Sequence, residues 1–255
     1  MKPLVSVITP AHNAAAFLQA AIDSVRVQTL TSWEMVIVDD GSRDATADII
    51  IRAAETDARI RLFRHPRALG AAAARNRAIK EARGRYIAFL DADDVWYPQK
   101  LERQIGFMRQ EGVAFSYGTY DLIDESGRVT GRYCPPLRVT YRDLLKTCSI
   151  GCLTAVFDTA VFGKRYMPAM RNRQDFVLWL DLLKSTKEAR GMAEPLGAYR
   201  LHATSLSAGK WRTAYYQWRV YRKVENLNLF SSLYYFFHYA YYGLRKYRFE
   251  DCEDA

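Results

Sequence analysis

Short apolar, β-rich runs recur through the first ninety residues of the chain, and this recurrence limits the fold more than any other feature. They are Leu4-Val-Ser-Val-Ile-Thr9, Glu34-Met-Val-Ile-Val38, Arg61-Leu-Phe63 and Tyr86-Ile-Ala-Phe-Leu90. Each of the first three is followed by a stretch that reads as helix. From Ala14 to Val27 the spacing puts Phe17, Leu18, Ala21, Ile22 and Val25 on one face, and Asp44 to Ala54 and Ala71 to Ala82 are rich in helix formers. A βαβαβαβ alternation predicts an α/β fold with a mostly parallel central sheet and helices on both faces. Ligands of such open sheets bind at the carboxyl ends of the strands, so those ends are where chemistry is expected.

The first strand ends in Thr9-Pro-Ala-His-Asn13, the second in Asp39-Asp-Gly-Ser42 and the fourth in Asp91-Ala-Asp-Asp94. Asp39 to Ser42 also fits a plain turn and helix cap, since Asp-Gly is strong turn chemistry and Ser42 or Asp44 can satisfy free helix N–H groups. Asp91, Asp93 and Asp94 are harder to explain that way. Three carboxylates in four residues repel one another unless a cation or a set of donors lies among them. With no cysteine or adjacent histidine, such acids favour a hard divalent ion, Mg2+ or Mn2+, that shares its coordination with substrate phosphates.

Other classes lose support. The chain has neither a Gly-Lys-Ser/Thr phosphate loop nor a G-x-G-x-x-G after the first strand, which argues against nucleotide hydrolases and dinucleotide dehydrogenases. Its 37 Lys plus Arg against 28 Asp plus Glu give a net charge of +9, a field that favours anionic partners. A nucleic-acid binder is one such alternative, but no recognised nucleic-acid module is visible, so no nucleic-acid partner is expected. Cys134, Cys148, Cys152 and Cys252 lack zinc-site spacing and read as reduced thiols. The start, Met1-Lys2-Pro3, reaches Asn13 before any apolar run attains signal-peptide length, which predicts a cytoplasmic protein.

Taken together, these residues resemble the inverting glycosyltransferases of family 2, which have the GT-A fold. Val5-Ser-Val-Ile-Thr-Pro-Ala-His-Asn13 is similar to that family's opening motif and Val38-Asp-Asp-Gly-Ser42 to its second. Gly70 through Ala74-Arg75-Asn76 is similar to its third, and Phe89-Leu-Asp-Ala-Asp-Asp94 to its DxD metal motif. The likeness continues through Ile150-Gly-Cys-Leu-Thr154, Arg173-Gln-Asp175-Phe-Val-Leu-Trp179, Tyr199-Arg-Leu-His202 and Ser205-Leu-Ser207, and is nearest to enzymes that build bacterial surface polysaccharides of the teichuronic-acid and O-antigen kind. The chain departs from the family at His12, where an aromatic residue is usual, and at Gln174, where most relatives carry Glu.

The resemblance implies transfer of a sugar from a UDP-sugar to a hydroxyl of a lipid-linked saccharide acceptor, of the undecaprenyl-diphosphate kind, with inversion and with Mn2+ or Mg2+ as cofactor. Asp175 is implied as the general base and Asp93 as the metal ligand, with His202 as a further ligand and Arg200 as a phosphate contact. Asp40 would accept from the uracil imide N–H, Thr9, Pro10, Ala11 and Asn13 would shape the nucleoside pocket, and Asp91 with Ala92 would meet the ribose or support the metal shell. Arg75 would touch nucleotide or phosphate; an exposed helix arginine is the plain alternative. A nucleotidyltransferase would instead show a Gly-rich basic loop after the first strand, and Ala11-His-Asn-Ala-Ala-Ala16 has neither Gly nor Lys.

The expected boundaries are a catalytic domain over 1–208, with a nucleotide half at 1–95 and an acceptor half at 96–208, and a basic aromatic helical tail over 209–250. Of 34 aromatic residues, 14 lie between Trp211 and Arg248, beside seven Lys/Arg and the single acid Glu225. Leu227 to Leu244 carries no Asp, Glu, Lys or Arg but includes Asn228, Ser231, Ser232, His238 and several tyrosines, a composition suited to the membrane interface rather than its interior. Arg212, Arg219, Arg222 and Lys223 precede it, and Arg245, Lys246 and Arg248 follow. One or two helices lying on the anionic inner leaflet, making the protein peripheral on the cytoplasmic membrane, are therefore expected. A helical pair packed on the catalytic domain, or a homodimer through it, is the alternative.

Overall fold

The computed structural model describes residues 2–202 and 210–245. In chain order its strands are β1 (Val5–Ala11), β2 (Trp33–Asp39), β3 (Ile60–Arg64), β4 (Tyr86–Phe89), β5 (Val95–Trp96), β6 (Phe115–Ile123), β7 (Val129–Tyr133), β8 (Arg138–Val139), β9 (Val156–Asp158) and β10 (Ala189–Arg200). The helices are α1 (Leu18–Arg26), α2 (Thr46–Thr56), α3 (Ala71–Glu81), α4 (Lys100–Gln110), α5 (Tyr141–Lys146), α6 (Thr159–Phe162), α7 (Gln174–Ser185), α8 (Lys210–Arg219) and α9 (Leu229–Arg245). A 3-10 turn covers Cys152–Thr154, and a π-helical turn, Val220–Val224, prolongs α8.

All the described strands join one sheet, ordered β3-β2-β1-β4-β9-β6-β10-β5, with β7 on β6 and β8 on β10. The half predicted from the βα alternation is parallel, with β1 between β2 and β4 and β3 outside β2. The other half is mixed. β6 and β10 run parallel, whereas β9 enters antiparallel between β4 and β6 and so joins the two halves. No local run of apolar residues announces that strand, because Val156-Phe-Asp158 is only three residues long.

Period-two alternation sorts the parallel strands onto two cores. Val5, Val7, Met35 and Ile37 face one layer with Leu18, Ile22 and Val25 of α1 and Ile50 of α2. Ile8, Val36, Val38 and Phe89 face the other, with Ala74 and Ala78 of α3 and Phe176, Trp179 and Leu180 of α7. Burial on both faces explains why these strands read as unbroken apolar runs. The Trp179 ring meets Phe89 edge-on at 5.3 Å and lies 5.2 Å from Phe115, so the helix carrying Asp175 is locked to the centre of the sheet.

One buried side chain runs against this packing. Lys100 is 1% exposed, its Nζ has no hydrogen-bond partner, and it rests 3.7 Å from the centre of the Trp96 ring. Burial lowers its pKa well below the ordinary lysine value. Lys100→Met is expected to stabilise the fold by about 1–3 kcal/mol, the cost of an unsatisfied buried polar group. The unfolded chain binds a proton that the folded one holds poorly, so wild-type stability rises with pH towards the unfolded lysine value and the gap to the variant narrows there. Chemical denaturation of both proteins at neutral and alkaline pH measures this.

Cys148 and Cys152 are reduced thiols, as expected, whereas Cys134 departs from that expectation and is disulfide-bonded. Cys252, Lys246, Arg248 and the motif Ser205-Leu-Ser207 lie outside the described residues.

Within the tail, Val220 and Tyr221 are fully buried, and the Tyr221 hydroxyl donates to the Leu145 carbonyl at 2.6 Å. Glu225 accepts from the Tyr141 hydroxyl and from Lys184 Nζ, the latter at 2.9 Å. These bonds tie the tail to α5 and α7. Along α9 the opposite face is open: Phe230 is 84% exposed and Phe237 71%, with Leu233, Tyr234 and Tyr241 on the same stripe. Among the described residues no helix is long and apolar enough to cross a membrane.

Candidate active site

The carboxyl ends of β1, β2 and β4 open into a cavity of about 340 Å³. Pro10, Ala11, Asn13, Asp40, Arg75, Asp91, Ala92, Asp93 and His202 all line it, so most of the predicted residues meet in one place. Thr9, Arg200 and Asp175 stand outside its lining. Thr9 is fully buried in the strand, and its hydroxyl has no hydrogen-bond partner.

The loops at the first two strand ends are stitched to each other. Asn13, at φ 49°, accepts from the Arg43 N–H at 2.9 Å through its side chain, while its own N–H donates to the Ser42 hydroxyl at 3.0 Å. Gly41 has φ 69°, and a Cβ there would lie 2.7 Å from the Ala68 nitrogen, so the Asp-Gly turn needs glycine for conformation and for space. Asp39 takes the turn role, accepting from the Ser42 N–H at 3.0 Å and from Arg64 at 3.1 Å.

Asp40 faces the cavity, but its own chain already surrounds it. Its oxygens accept from His65 Nδ1 at 2.7 Å, from the Leu69 N–H at 2.9 and 3.1 Å and from the Gly70 N–H at 2.7 Å. Burial works against the charge, yet these donors outweigh it and hold the carboxyl below the ordinary aspartate pKa. His65 and the His12 ring, which bonds the Asp40 carbonyl at 2.8 Å, were not among the predicted residues. His65 directly follows β3, so the rule that ligands gather at strand ends would have found it.

The DxD turn answers the question posed by its three acids by giving each a different donor. Asp91 accepts from Arg75 Nη2 at 2.5 Å. Asp93 Oδ2 lies 2.8 Å from His202 Nε2. Asp94 is turned inward, 1% exposed, accepting from the Arg200 N–H at 2.9 Å. Burial first, and then the charges of Asp91 and Asp93, push its pKa well above the ordinary value.

Arg75 is buried rather than the exposed helix arginine that was the plain alternative. Burial opposes its charge, but the Asp91 carboxylate, with Asp175 further off, keeps it a cation, and its Nε has no partner. Arg200, expected as a phosphate contact, turns its guanidinium towards the backbone of the DxD turn. Its guanidinium donates to the carbonyls of Asp93, Asp124 and Glu125 at 2.9–3.2 Å and covers the Phe17 ring at 4.7 Å, so it braces the DxD turn from behind. The Phe17 ring also lies 5.3 Å from that of His202.

Asp175 is the second residue of α7. It does not line the cavity, and its charge adds to that of Asp91 in keeping Arg75 a cation.

Asp93 and His202 were the expected metal ligands. Among the described residues no group of three or more His, Cys, Asp or Glu side chains forms a metal cage. One carboxylate and one imidazole converging at the cavity mouth nevertheless suit a divalent cation that completes its shell with phosphate oxygens and water.

A family model for glycosyl transferase family 2 matches residues 6–167, which span the four motif loops. The chain belongs to that family. The glycosyltransferase is 43% identical over 96% of its length to TuaG of Bacillus subtilis, named for teichuronic acid biosynthesis, and covers 98% of that relative. It is 38% identical over 97% of its length to WfgD of Escherichia coli, a UDP-Glc:alpha-D-GlcNAc-diphosphoundecaprenol beta-1,3-glucosyltransferase, covering 96% of it. Among solved structures it resembles residues 1–349 of S. aureus TarS in complex with UDP-GlcNAc, with a TM-score of 0.71 at 19% identity, over 86% of this chain and 64% of that one. It spans 40% of a longer TarS chain. It also resembles the mannosyltransferase PcManGT of Pyrobaculum calidifontis in complex with GDP-Man and Mn2+, with a TM-score of 0.61 at 18% identity, over 88% of this chain and 62% of that one. These likenesses establish the GT-A fold for the enzyme.

Proposed function

We propose that this glycosyltransferase moves a sugar, with inversion, from a UDP-sugar to a hydroxyl of an undecaprenyl-diphosphate-linked saccharide during synthesis of a bacterial surface polysaccharide. The carrying observation is the cavity that gathers Asp40, the Arg75–Asp91 pair and the Asp93–His202 pair at the ends of three parallel strands. The names of WfgD and TuaG support the acceptor and the pathway, and the UDP-GlcNAc bound by TarS supports the donor.

In this reading Pro10, Ala11 and Asn13 wall the nucleoside, and Asp40, which lines the same cavity, accepts the uracil imide N–H. Asp91, held by Arg75, meets the ribose, and the unpartnered Arg75 Nε is left to donate towards the donor. Asp93 and His202 would hold a divalent cation, which when bound neutralises charge on the departing diphosphate. Asp175 takes the acceptor hydroxyl's proton as the new C–O bond forms and the bond to the diphosphate breaks, so UDP leaves from the opposite face. Thr9 supports the strand from behind the pocket, and Arg200 fixes the turn that carries Asp93. UDP release from a panel of UDP-sugars, with and without Mn2+ and with a polyprenyl-diphosphate-linked saccharide as acceptor, tests the reading. Metal-dependent release for one donor that rises with acceptor supports it, and release from none defeats it.

The open stripe of α9 is proposed to lie on the inner leaflet of the cytoplasmic membrane, next to the lipid part of the acceptor. Its spacing at Phe230, Leu233, Tyr234, Phe237 and Tyr241 makes one continuous apolar face, and Arg219, Arg222 and Lys223 lie just upstream. Each nearby cation contributes about 1 kcal/mol towards an anionic surface. The full chain is expected to co-sediment with phosphatidylglycerol vesicles, less so in high salt, and the double variant Phe230→Ser/Phe237→Ser to remain in the supernatant. A salt-insensitive dimer in vesicle-free solution, disrupted by the same variant, would point to a second copy instead.

A further inference from the structure

Three non-glycine residues among those described have positive φ: Asn13, Arg173 and Asn226. Asparagine tolerates this region, whereas arginine enters it only where its surroundings hold it there. Arg173, at φ 67° and ψ 16°, is the residue from which α7 starts, and its carbonyl accepts the first helical bond, from the Val177 N–H at 3.1 Å. The Arg173 side chain makes no capping hydrogen bond to this end of the helix. The Arg173 guanidinium reaches across to α9, where Nη2 donates to the Tyr239 hydroxyl at 2.8 Å. Its carbon lies 5.2 Å from the centre of the Tyr239 ring and 5.8 Å from that of Phe176. Tyr239 lies on the inner side of α9, beside Phe236, which in turn meets Trp218 edge-on at 5.6 Å. The exposed stripe occupies the other side of the same helix.

We propose that Arg173 and Tyr239 form a positioning link through which α9 sets the start of α7 and thereby the place of Asp175. The proposal rests on Asp175 being the general base. Neither linking residue lines the nucleotide cavity. The left-handed turn at Arg173 decides the direction in which the first turn of α7 projects, and Asp175 sits in that turn, two residues on. Tyr239 takes up the guanidinium that would otherwise be free to draw Arg173 back towards an ordinary backbone conformation. The aromatic tail then does more than attach the enzyme to a surface: its inner face is part of the machinery that aims the base.

The test uses the full chain, the UDP-sugar selected by the donor panel and a short-chain polyprenyl-diphosphate acceptor in vesicle-free solution, so that lipid docking does not enter. Tyr239→Phe keeps the ring and removes the hydroxyl. It is expected to lower kcat about tenfold with donor KM and UDP affinity within about twofold, the pattern of a misaimed base rather than lost binding. Arg173→Gly permits the same backbone and removes the guanidinium, and should lower kcat at least as far. The double variant should be no slower than Arg173→Gly, because the two residues act as one unit. Unchanged kcat in Tyr239→Phe, or effects that multiply in the double variant, overturn the link; if Arg173→Gly does not fold, Tyr239→Phe decides alone. Asp175→Asn is measured beside them. If it is inactive while Tyr239→Phe matches wild type, the link alone is wrong, and if it is active the base assignment beneath it is wrong.

Discussion

Asp175→Asn should lower the rate of sugar transfer by roughly 10²- to 10⁴-fold, the range that a positioned general base contributes. The side chain keeps its size but no longer takes the acceptor proton, so the loss should fall on kcat. UDP affinity should stay near wild type, because Asp175 lies outside the cavity lining that meets the nucleotide. Folding should survive as well. Asp175 is partly exposed in the first turn of α7, while the helix is held by the fully buried Phe176 and Trp179. A carboxylate near a helix N-terminus contributes only about 0.3–1 kcal/mol to stability, which a melting curve would register as a small shift. Kinetics with the selected donor, together with titration of UDP, separates the two effects. Retention of most activity in a folded variant would remove Asp175 from the mechanism.

Asp93→Asn should depress activity by about 10³-fold, because cation stabilisation of a departing diphosphate is worth several kcal/mol. The expected pattern differs from that of Asp175. Donor binding should weaken along with turnover, since the same cation would bridge protein and substrate. Excess Mn2+ should recover part of the loss, because His202 still offers its imidazole, and removal of metal by EDTA should bring wild type down to the level of the variant. The DxD turn should survive the change. Its shape depends on Asp94, which accepts the Arg200 N–H, and on the Arg200 guanidinium bonded to the Asp93 carbonyl, neither of which involves the Asp93 side chain. A variant that kept full activity in the presence of EDTA would exclude a metal role for Asp93.

Much of the site could be read along the chain because its parts are local. The strands Val5–Ala11, Trp33–Asp39 and Tyr86–Phe89 announce themselves by apolar composition, and in a parallel sheet the residues that follow such strands converge at one edge. Asp40, Asp91 and Asp93 follow β2 and β4 and line one cavity, whereas Arg75, inside α3, was named only through the family resemblance; the match to glycosyl transferase family 2 spans all four. The short β9 escaped this reading because its pairing with β4 and β6, not its own three residues, makes it a strand.

What each polar group does was less accessible. Arg75 on a helix looks the same in sequence whether it faces solvent or Asp91, and Arg200 looks the same whether it meets a phosphate or three backbone carbonyls. The difference lies in partners brought from far along the chain: His202 reaches Asp93 across 109 positions, Arg200 reaches the Asp93 carbonyl across 107, and Arg173 reaches Tyr239 across 66. Hydrophobic periodicity and turn chemistry act over a few residues, so the chain alone sets its longer elements, its strand-end loops and the acids they carry. Hydrogen bonds and ion pairs act over a few ångströms, and only packing of the two halves of the sheet and the tail brings those distances about. The division of labour among Asp91, Asp93 and Asp94, and the grip of α9 on the helix that carries Asp175, are therefore consequences of the assembled fold.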